Sequence, residues 1–192
     1  MDLNKTIDDY ELVKKIGEGT YGKVYKVKRK SDNKTIALKV INIPVGNDEL
    51  IDISKKEVEY LKTLSFPECN PFIICYYDSY YDPISRDFLI EMEYIEGTDM
   101  FDFILESNNK NTKEIYYYFL LLIAKDIAKG LKYIHSKNII HNDIKLENIM
   151  INPKYTPKII DFGLACHTKY NKNVGKYCES DGGTPSYVSP EY

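Results

Sequence analysis

Near the start of the chain stands Ile16-Gly17-Glu18-Gly19-Thr20-Tyr21-Gly22-Lys23-Val24, a G-x-G-x-x-G pattern. Glycines let a backbone turn sharply and bring its N–H groups against phosphate oxygens with no Cβ in the way. Three readings compete. A dinucleotide fingerprint needs a helix directly after the loop and an acidic residue about 20 positions on. Here the next run, Val24-Tyr25-Lys26-Val27, is β-prone and ends in turn chemistry. A Walker loop fits Gly17 to Lys23, but Val24 brings no hydroxyl for magnesium and no helix follows. The third reading is a glycine hairpin between two antiparallel strands, laid over a nucleotide. It requires a valine after the last glycine and a lysine on the next strand; Val24 and Lys39, in Ile36-Ala37-Leu38-Lys39, supply both.

Outward from this loop, the first half of the chain reads mostly as strands: 10–16, 23–29, 35–41, 73–81 and 88–94. Residues 48–64 have helical spacing, with Ile51, Val58, Leu61 and Leu64 on one side. The second half changes character. Asn111 with Glu114 resembles a capping box. Tyr116, Phe119, Leu120, Ile123, Ile127, Leu131 and Ile134 then recur at steps of three and four, which predicts a long amphipathic helix ending near Lys137-Asn138. Short strand-like pieces, 149–151 and 157–160, precede a polar tail. The boundary between the halves falls near 95–99, where Glu96-Gly97-Thr98 breaks the pattern.

Composition limits the classes. The 192 residues are 43% hydrophobic and 29% charged, a globular balance. Apolar runs fall short of the ~18 residues that span a bilayer, and no secretory signal follows Met1, so no membrane is expected as a partner. A net charge of −3 does not suggest a nucleic-acid partner. Arg29 and Arg86 are the only arginines, so bidentate phosphate forks are scarce. Cys69, Cys75, Cys166 and Cys178 show no C-x-x-C spacing and complete no zinc pattern with the histidines. The simple expectation is free thiols in an intracellular, cytoplasmic or similar, setting.

Further motifs follow the glycine loop in a fixed order. These are Ala37-Leu38-Lys39, Glu57 on the following helix, His141-Asn142-Asp143-Ile144-Lys145-Leu146-Glu147-Asn148, Asp161-Phe162-Gly163 and Ser189-Pro190-Glu191. In this order and spacing, from about residue 10 to the end, the chain resembles a eukaryotic-type protein kinase of the serine/threonine class. The resemblance implies an α+β, two-lobed fold. Residues 1–9 would be an N-terminal extension, 10–94 a small antiparallel β lobe with one helix, 95–99 a hinge, and 100–192 part of a mainly helical lobe. It implies ATP and Mg2+ as cofactors and a protein substrate with a Ser/Thr acceptor; a non-catalytic kinase-like nucleotide-binding scaffold, or an inactive fragment lacking the rest of the helical lobe, is the alternative.

The resemblance also assigns roles. Lys39 would contact the α- and β-phosphates and Glu57 would fix it. Asp161 and Asn148 would hold metal with the hard oxygens magnesium prefers. Asp143 would orient the substrate hydroxyl and take its proton, Lys145 would neutralise the moving phosphoryl group, and Thr184 would brace both. Ile16, Gly17, Glu18, Gly19, Gly22 and Val24 would cover the nucleotide. Ala37, Met100 and Met150 would sandwich adenine with Val24. Met92 would guard the pocket, backbone groups of Glu93 and Ile95 would pair with the base, and Asp99 would meet the ribose. Leu61, Tyr76, His141 and Phe162 would stack as an internal spine. The presence of Lys145 and of Gly183-Thr184-Pro185 points to the serine/threonine class.

Some positions depart from the pattern. Asn142 stands where the family carries an arginine that receives an activation-loop phosphate, so activity is expected not to depend on that phosphate. Leu146 replaces a common proline and Ser189 an alanine. The family continues past this point with helices that floor the second lobe. The chain therefore reads as truncated just after Ser189-Pro190-Glu191, with apolar surface left open on the long helix.

Overall fold

The computed structural model describes residues 5–19, 21–107, 113–172, 175–178 and 183–187. They fall into two compact units, one of Met1–Lys62 with Cys75–Ile95, the other of Thr63–Ile74 with Glu96–Tyr192.

The first unit is built on an antiparallel sheet. After a short 3-10 helix, Ile7–Asp9, come β1 (Tyr10–Glu18), β2 (Lys23–Arg29), β3 (Thr35–Asn42), helix α1 (Glu49–Ser65), β4 (Tyr76–Asp82) and β5 (Asp87–Glu93). The strand order is β1-β2-β3-β5-β4. Tyr10, Val27, Ile36, Leu38 and Leu89 form its core, with Tyr25, Val40, Tyr77 and Tyr80 packed against them. In the central strand β3, Ile36 to Lys39 are all buried, which is why Ile36-Ala37-Leu38 is a continuous apolar run. Edge strand β1 buries only Tyr10 and carries bulges after Leu12 and Lys15. The expected strand at 73–81 begins three residues later, because Ile73 instead forms a parallel bridge with Ile159.

A buried carboxylate ties the core of this sheet to its rim. Glu91, 1% exposed, accepts from Tyr10 Oη at 2.6 Å and Lys5 Nζ at 3.1 Å on Oε1, and pairs through Oε2 with Arg29 at 3.0 Å. Burial first, then the hydrogen bond to Glu91, pushes the Tyr10 hydroxyl well above its usual range, so Tyr10 stays a donor. Removing one partner of a buried ion pair costs about 3–5 kcal/mol, because the other charge stays in low dielectric. Glu91→Ala is therefore expected to lower the unfolding free energy by that amount, read from urea melts. Glu91→Asp, which keeps the charge, should lose less.

The second unit contains β6 (Thr98–Asp99), α2 (Met100–Ser107), α3 (Lys113–Ser136), β7 (Ile139–Ile140), β8 (Ile149–Ile151), β9 (Pro157–Ile159), β10 (Cys166–His167), β11 (Lys169–Asn171) and β12 (Gly175–Tyr177). Strands β6, β8 and β9 make a three-stranded sheet in that order, and β10 pairs with β7. Met100, Ile123, Ile149 and Ile151 form the core, flanked by Phe103, Ile104, Leu120, Ile127 and Leu146. Gly97 is obligatory here: its φ is +142°, and a Cβ would lie 2.0 Å from Ile151 O. The fold class expected from the sequence, α+β with a β lobe and a partial helical lobe, is what the chain forms.

On α3, Ile123 and Ile134 are buried as expected. Phe119 is more open and lays its ring on Tyr155, with centroids 5.2 Å apart. Tyr117, Tyr118, Leu121 and Leu122 are exposed. The Asn111 capping position and Ser189-Pro190-Glu191 lie outside the described residues. No helix among the described residues is long and apolar enough to cross a membrane.

The expectation of free thiols is corrected. Cys166 and Cys178 form a disulfide, and neither Cys69 nor Cys75 is free either. The two strands after Cys166 fold back as a hairpin, β11 against β12, and return Cys178 to a Cα separation of 6.2 Å from Cys166. That lies within disulfide reach. A sequence separation of 12 gives no hint of it.

Candidate active site

The glycine hairpin forms as read. Gly17 pairs with Val24 and Glu18 with Lys23 across β1 and β2, and Gly19 N–H donates to Gly22 O at 2.8 Å to close the turn. The glycines differ in their reasons. A Cβ on Gly22 would come within 2.6 Å of Val40 O, so packing requires that glycine. At Gly17 and Gly19 a Cβ would meet nothing closer than 3.8 Å. The fold leaves these two positions bare without needing to, as a loop that must accept phosphate oxygens does.

Val24 stands directly opposite Lys39 across β2 and β3, and Ala37 opposite Met92 across β3 and β5. Lys39 and Glu57 are both buried, 6% and 3% exposed. The ammonium reaches both carboxylate oxygens, at 2.6 and 2.8 Å. Glu57 shares the buried side of α1 with Ser54, Val58 and Leu61, at spacings of three and four, which turns a helix carboxylate inward onto the lysine strand. Glu93 N–H is held by Cys75 O at 2.9 Å. Met92 is buried, and Ile95 half-buried.

In the second unit, the polar residues of the 141–148 loop converge. Asp143 Oδ1 accepts from Thr184 N–H at 3.1 Å and Thr184 Oγ1 at 2.6 Å. Asp143 Oδ2 meets Lys145 Nζ at 2.8 Å and Asn148 Nδ2 at 2.9 Å. Lys145 Nζ also donates to Thr184 Oγ1 at 2.9 Å. Asn148 Nδ2 donates a second bond to Asp143 O at 2.8 Å. Both of its partners are acceptors, so the amide orientation is fixed and Oδ1 is the atom left to face a cation.

Burial works to raise the Asp143 carboxyl, but hydrogen bonds from Lys145 and Thr184, the Lys145 charge and the Asn148 amide outweigh it, so the group titrates below the usual carboxylate range. A depressed folded-state pKa adds stability that is complete above the unfolded value of about 3.9 and is lost as pH falls through the folded value. The melting-temperature advantage of the wild type over Asp143→Asn is thus expected to hold flat from pH 7 to 5 and to shrink only in stronger acid.

His141 holds the loop from behind. It is buried, and burial lowers its pKa, so it is neutral. Its Nε2–H donates to Ile160 O at 2.9 Å and its Nδ1 accepts Asp143 N–H at 3.3 Å. Its ring meets that of fully buried Phe162 edge-on, centroids 4.8 Å apart. Antiparallel pairing of Ile149 with Ile159, extended by Ile160 N–H to Asn148 O at 2.9 Å, brings Asn148 and Asp161 to one end of the β8–β9 hairpin. Asp161 sits at φ 62°. An aspartate held in the left-handed region is a cost that functional positions carry.

Other sequence-predicted residues have structural duties as well. Asp99 pairs with Met150 across β6 and β8, and its Oδ1 caps α2 by accepting Asp102 N–H at 2.9 Å. The Asp99…Asp102 spacing was the available signal for α2, which the sequence reading did not resolve. Asn142, at φ 64°, is more than a missing charge: its amide contacts both disulfide sulfurs.

The residues present suit magnesium nucleotide. Magnesium is bound by one or two protein oxygens plus substrate phosphates rather than by a protein cage. Among the described residues no cluster of three or more His, Cys, Asp or Glu forms such a cage. A carboxylate and an amide oxygen at one hairpin end match that demand.

A two-lobed chain with this loop, this lysine–glutamate pair and this hairpin has the make-up of a phosphotransferase domain, and comparison with known proteins agrees. The protein kinase domain family matches residues 10–192, and the chain belongs to that family. It is 35% identical over 184 residues to NUAK family SNF1-like kinase 2 of Rattus norvegicus, covering 95% of this chain and 26% of that protein. It is 35% identical over 185 residues to serine/threonine-protein kinase TIO of Arabidopsis thaliana, covering 96% and 13%. With serine/threonine-protein kinase Nek2 of Mus musculus it shares 32% over 193 residues, 96% and 41%. The chain thus spans less than half the length of these relatives.

Proposed function

We propose that this protein is a serine/threonine kinase that transfers the γ-phosphoryl group of Mg-ATP to a hydroxyl of a protein substrate, inside the cell. The observation that carries the reading is the Asp143–Lys145–Thr184–Asn148 cluster, three side chains locked around the Asp143 carboxylate. Phosphoryl transfer needs positioning and charge neutralisation more than covalent chemistry.

In this reading Asp143, ionised and braced on both oxygens, orients the acceptor hydroxyl. Its low basicity suits a base that takes the proton only as the hydroxyl oxygen bonds to phosphorus and turns acidic. Lys145 offsets charge on the moving phosphoryl group, and Thr184 fixes the lysine and the carboxylate relative to each other. Lys39, oriented by Glu57, holds the α- and β-phosphates. Asp161 and Asn148 Oδ1 would hold Mg2+, which, when bound, draws charge from the phosphate oxygens. Val24, Ala37, Met100 and Met150 would grip adenine beside Met92, Glu93 O and the Ile95 backbone. Asp99 keeps Oδ2 for the ribose while Oδ1 caps its helix. Ile16, Gly17, Glu18, Gly19 and Gly22 would cover the phosphates.

The test is transfer of radiolabelled phosphate to a generic basic protein. Wild type should label it, and Asp143→Ala and Asp161→Ala should not. Equal background in all three would favour a nucleotide-binding scaffold.

A further inference from the structure

Strand β2 carries three lysines, and β1 opposes them with different charges. Lys23 stands opposite Glu18 and Lys28 opposite Glu11, but Lys26 stands opposite Lys14. Like charges directly opposite each other destabilise a ladder, so pairing with β1 gives no reason for a lysine at position 26. The ammonium of Lys26 goes instead to an aromatic face. Its Nζ lies 4.2 Å from the ring centroid of Tyr94. That is well inside the ~6 Å reach of a cation–π contact. Both residues belong to the first unit, and both are half-buried.

The strand register places this contact. Lys26 pairs with Ala37 across β2 and β3, and Ala37 with Met92 across β3 and β5, so the three form one row. Residues opposite each other in a ladder share a face, and so does Val24, two positions before Lys26. Lys26 therefore stands on the face assigned above to adenine. Tyr94 follows β5 directly, between Glu93 and Ile95. Glu93 is fastened towards β4: its N–H donates to Cys75 O at 2.9 Å, and its Oε1 accepts Cys75 N–H at 3.0 Å. Tyr94 is fastened towards β2 by Lys26. Strands β4 and β2 lie on opposite sides of β5 in the sheet, so two neighbouring residues at the exit of β5 are held from opposite sides.

We propose that Lys26 is a positioning residue for adenine: its ammonium on the Tyr94 ring fixes the backbone of Glu93 and Ile95, on either side of that ring, where the base is read. This role rests on the reading of that backbone as the edge that meets the base. Lys26 acts through Tyr94 and touches no nucleotide itself. The attraction needs both a cation and a ring face, and it is lost when either is replaced by an aliphatic chain. Without it the residues after β5 are ordered only as the base arrives, and part of the binding free energy goes into ordering them. The phosphate contacts proposed for Lys39 and the glycine hairpin are unaltered. The loss is then the same in the ground state and the transition state, which raises KM and leaves kcat in place.

The experiment titrates Mg-ADP and adenosine calorimetrically into the protein and measures KM for ATP and kcat in parallel. The proteins are wild type, Lys26→Met, Lys26→Arg, Tyr94→Leu, Tyr94→Phe and the double variant Lys26→Met/Tyr94→Leu. Lys26→Met and Tyr94→Leu should each weaken Mg-ADP by about three- to tenfold and raise KM to the same degree, with kcat unchanged. Arginine keeps the cation and phenylalanine keeps the ring face, so those two variants should stay near wild type. The double variant should bind no more weakly than either single one, because the two side chains form one contact. Adenosine, which has no phosphate, should lose affinity by the same factor as Mg-ADP. A loss confined to Mg-ADP would put Lys26 on the phosphates and overturn its role. Unchanged affinity in Tyr94→Leu, or losses that multiply in the double variant, would overturn it as well. A protein that shows the expected binding pattern but transfers no phosphate supports the role of Lys26 and overturns the kinase reading instead. Wild type that binds neither ligand overturns both.

Discussion

Asp143→Asn is expected to cut phosphotransfer by about 10²–10⁴-fold while the protein still folds and still binds nucleotide. The substitution keeps the shape of the side chain, and its Oδ1 can still accept from Thr184 Oγ1, which lies 2.6 Å from the carboxylate. It loses the negative charge that faces Lys145 at 2.8 Å and the ability to accept a proton from the substrate hydroxyl. Lys145 is partly exposed, so its charge remains solvated and the cost in stability is modest. A thermal shift with Mg-ATP that persists beside lost transfer is the expected pairing. Retained transfer in the variant would remove Asp143 from the chemistry.

The parts of the site that were legible in the sequence are those fixed by local order. The glycine hairpin could be told from its two rivals because Val24 starts a strand and not a helix, and β2 indeed follows. Lys39 and Glu57 could be named as partners from motif order, although nothing local says that α1 turns Glu57 inward. That depends on Ser54, Val58 and Leu61 sharing its side. What stayed hidden was set by tertiary return. The disulfide forms only because β11 and β12 bring Cys178 back to Cys166. Asn142, read one-dimensionally, is a lost charge; in space it is a donor to two sulfurs. Glu91 reads as one strand carboxylate among many, and only its three donors show that it is buried and held.

Lys39 joins a structural duty to a proposed catalytic one, and a pair of variants separates them. Lys39→Met removes the ammonium that reaches both Glu57 oxygens, at 2.6 and 2.8 Å, and leaves the carboxylate in a buried site without it. Breaking a buried pair in this way is expected to cost about 3–5 kcal/mol of stability. Phosphotransfer should fall by roughly 10²–10³-fold, the loss typical of removing one preorganised electrostatic contact to the reacting group. Lys39→Met/Glu57→Gln discharges the carboxylate as well, so its melting temperature should recover most of the way towards wild type. Its phosphotransfer should stay as low as in the single variant, because a neutral methionine still cannot hold the phosphates. If Lys39 served only to neutralise Glu57, activity would return with stability. The non-additivity of the two substitutions in melting, against their lack of mutual rescue in turnover, is therefore the measurement that assigns the lysine to the nucleotide and not merely to the fold.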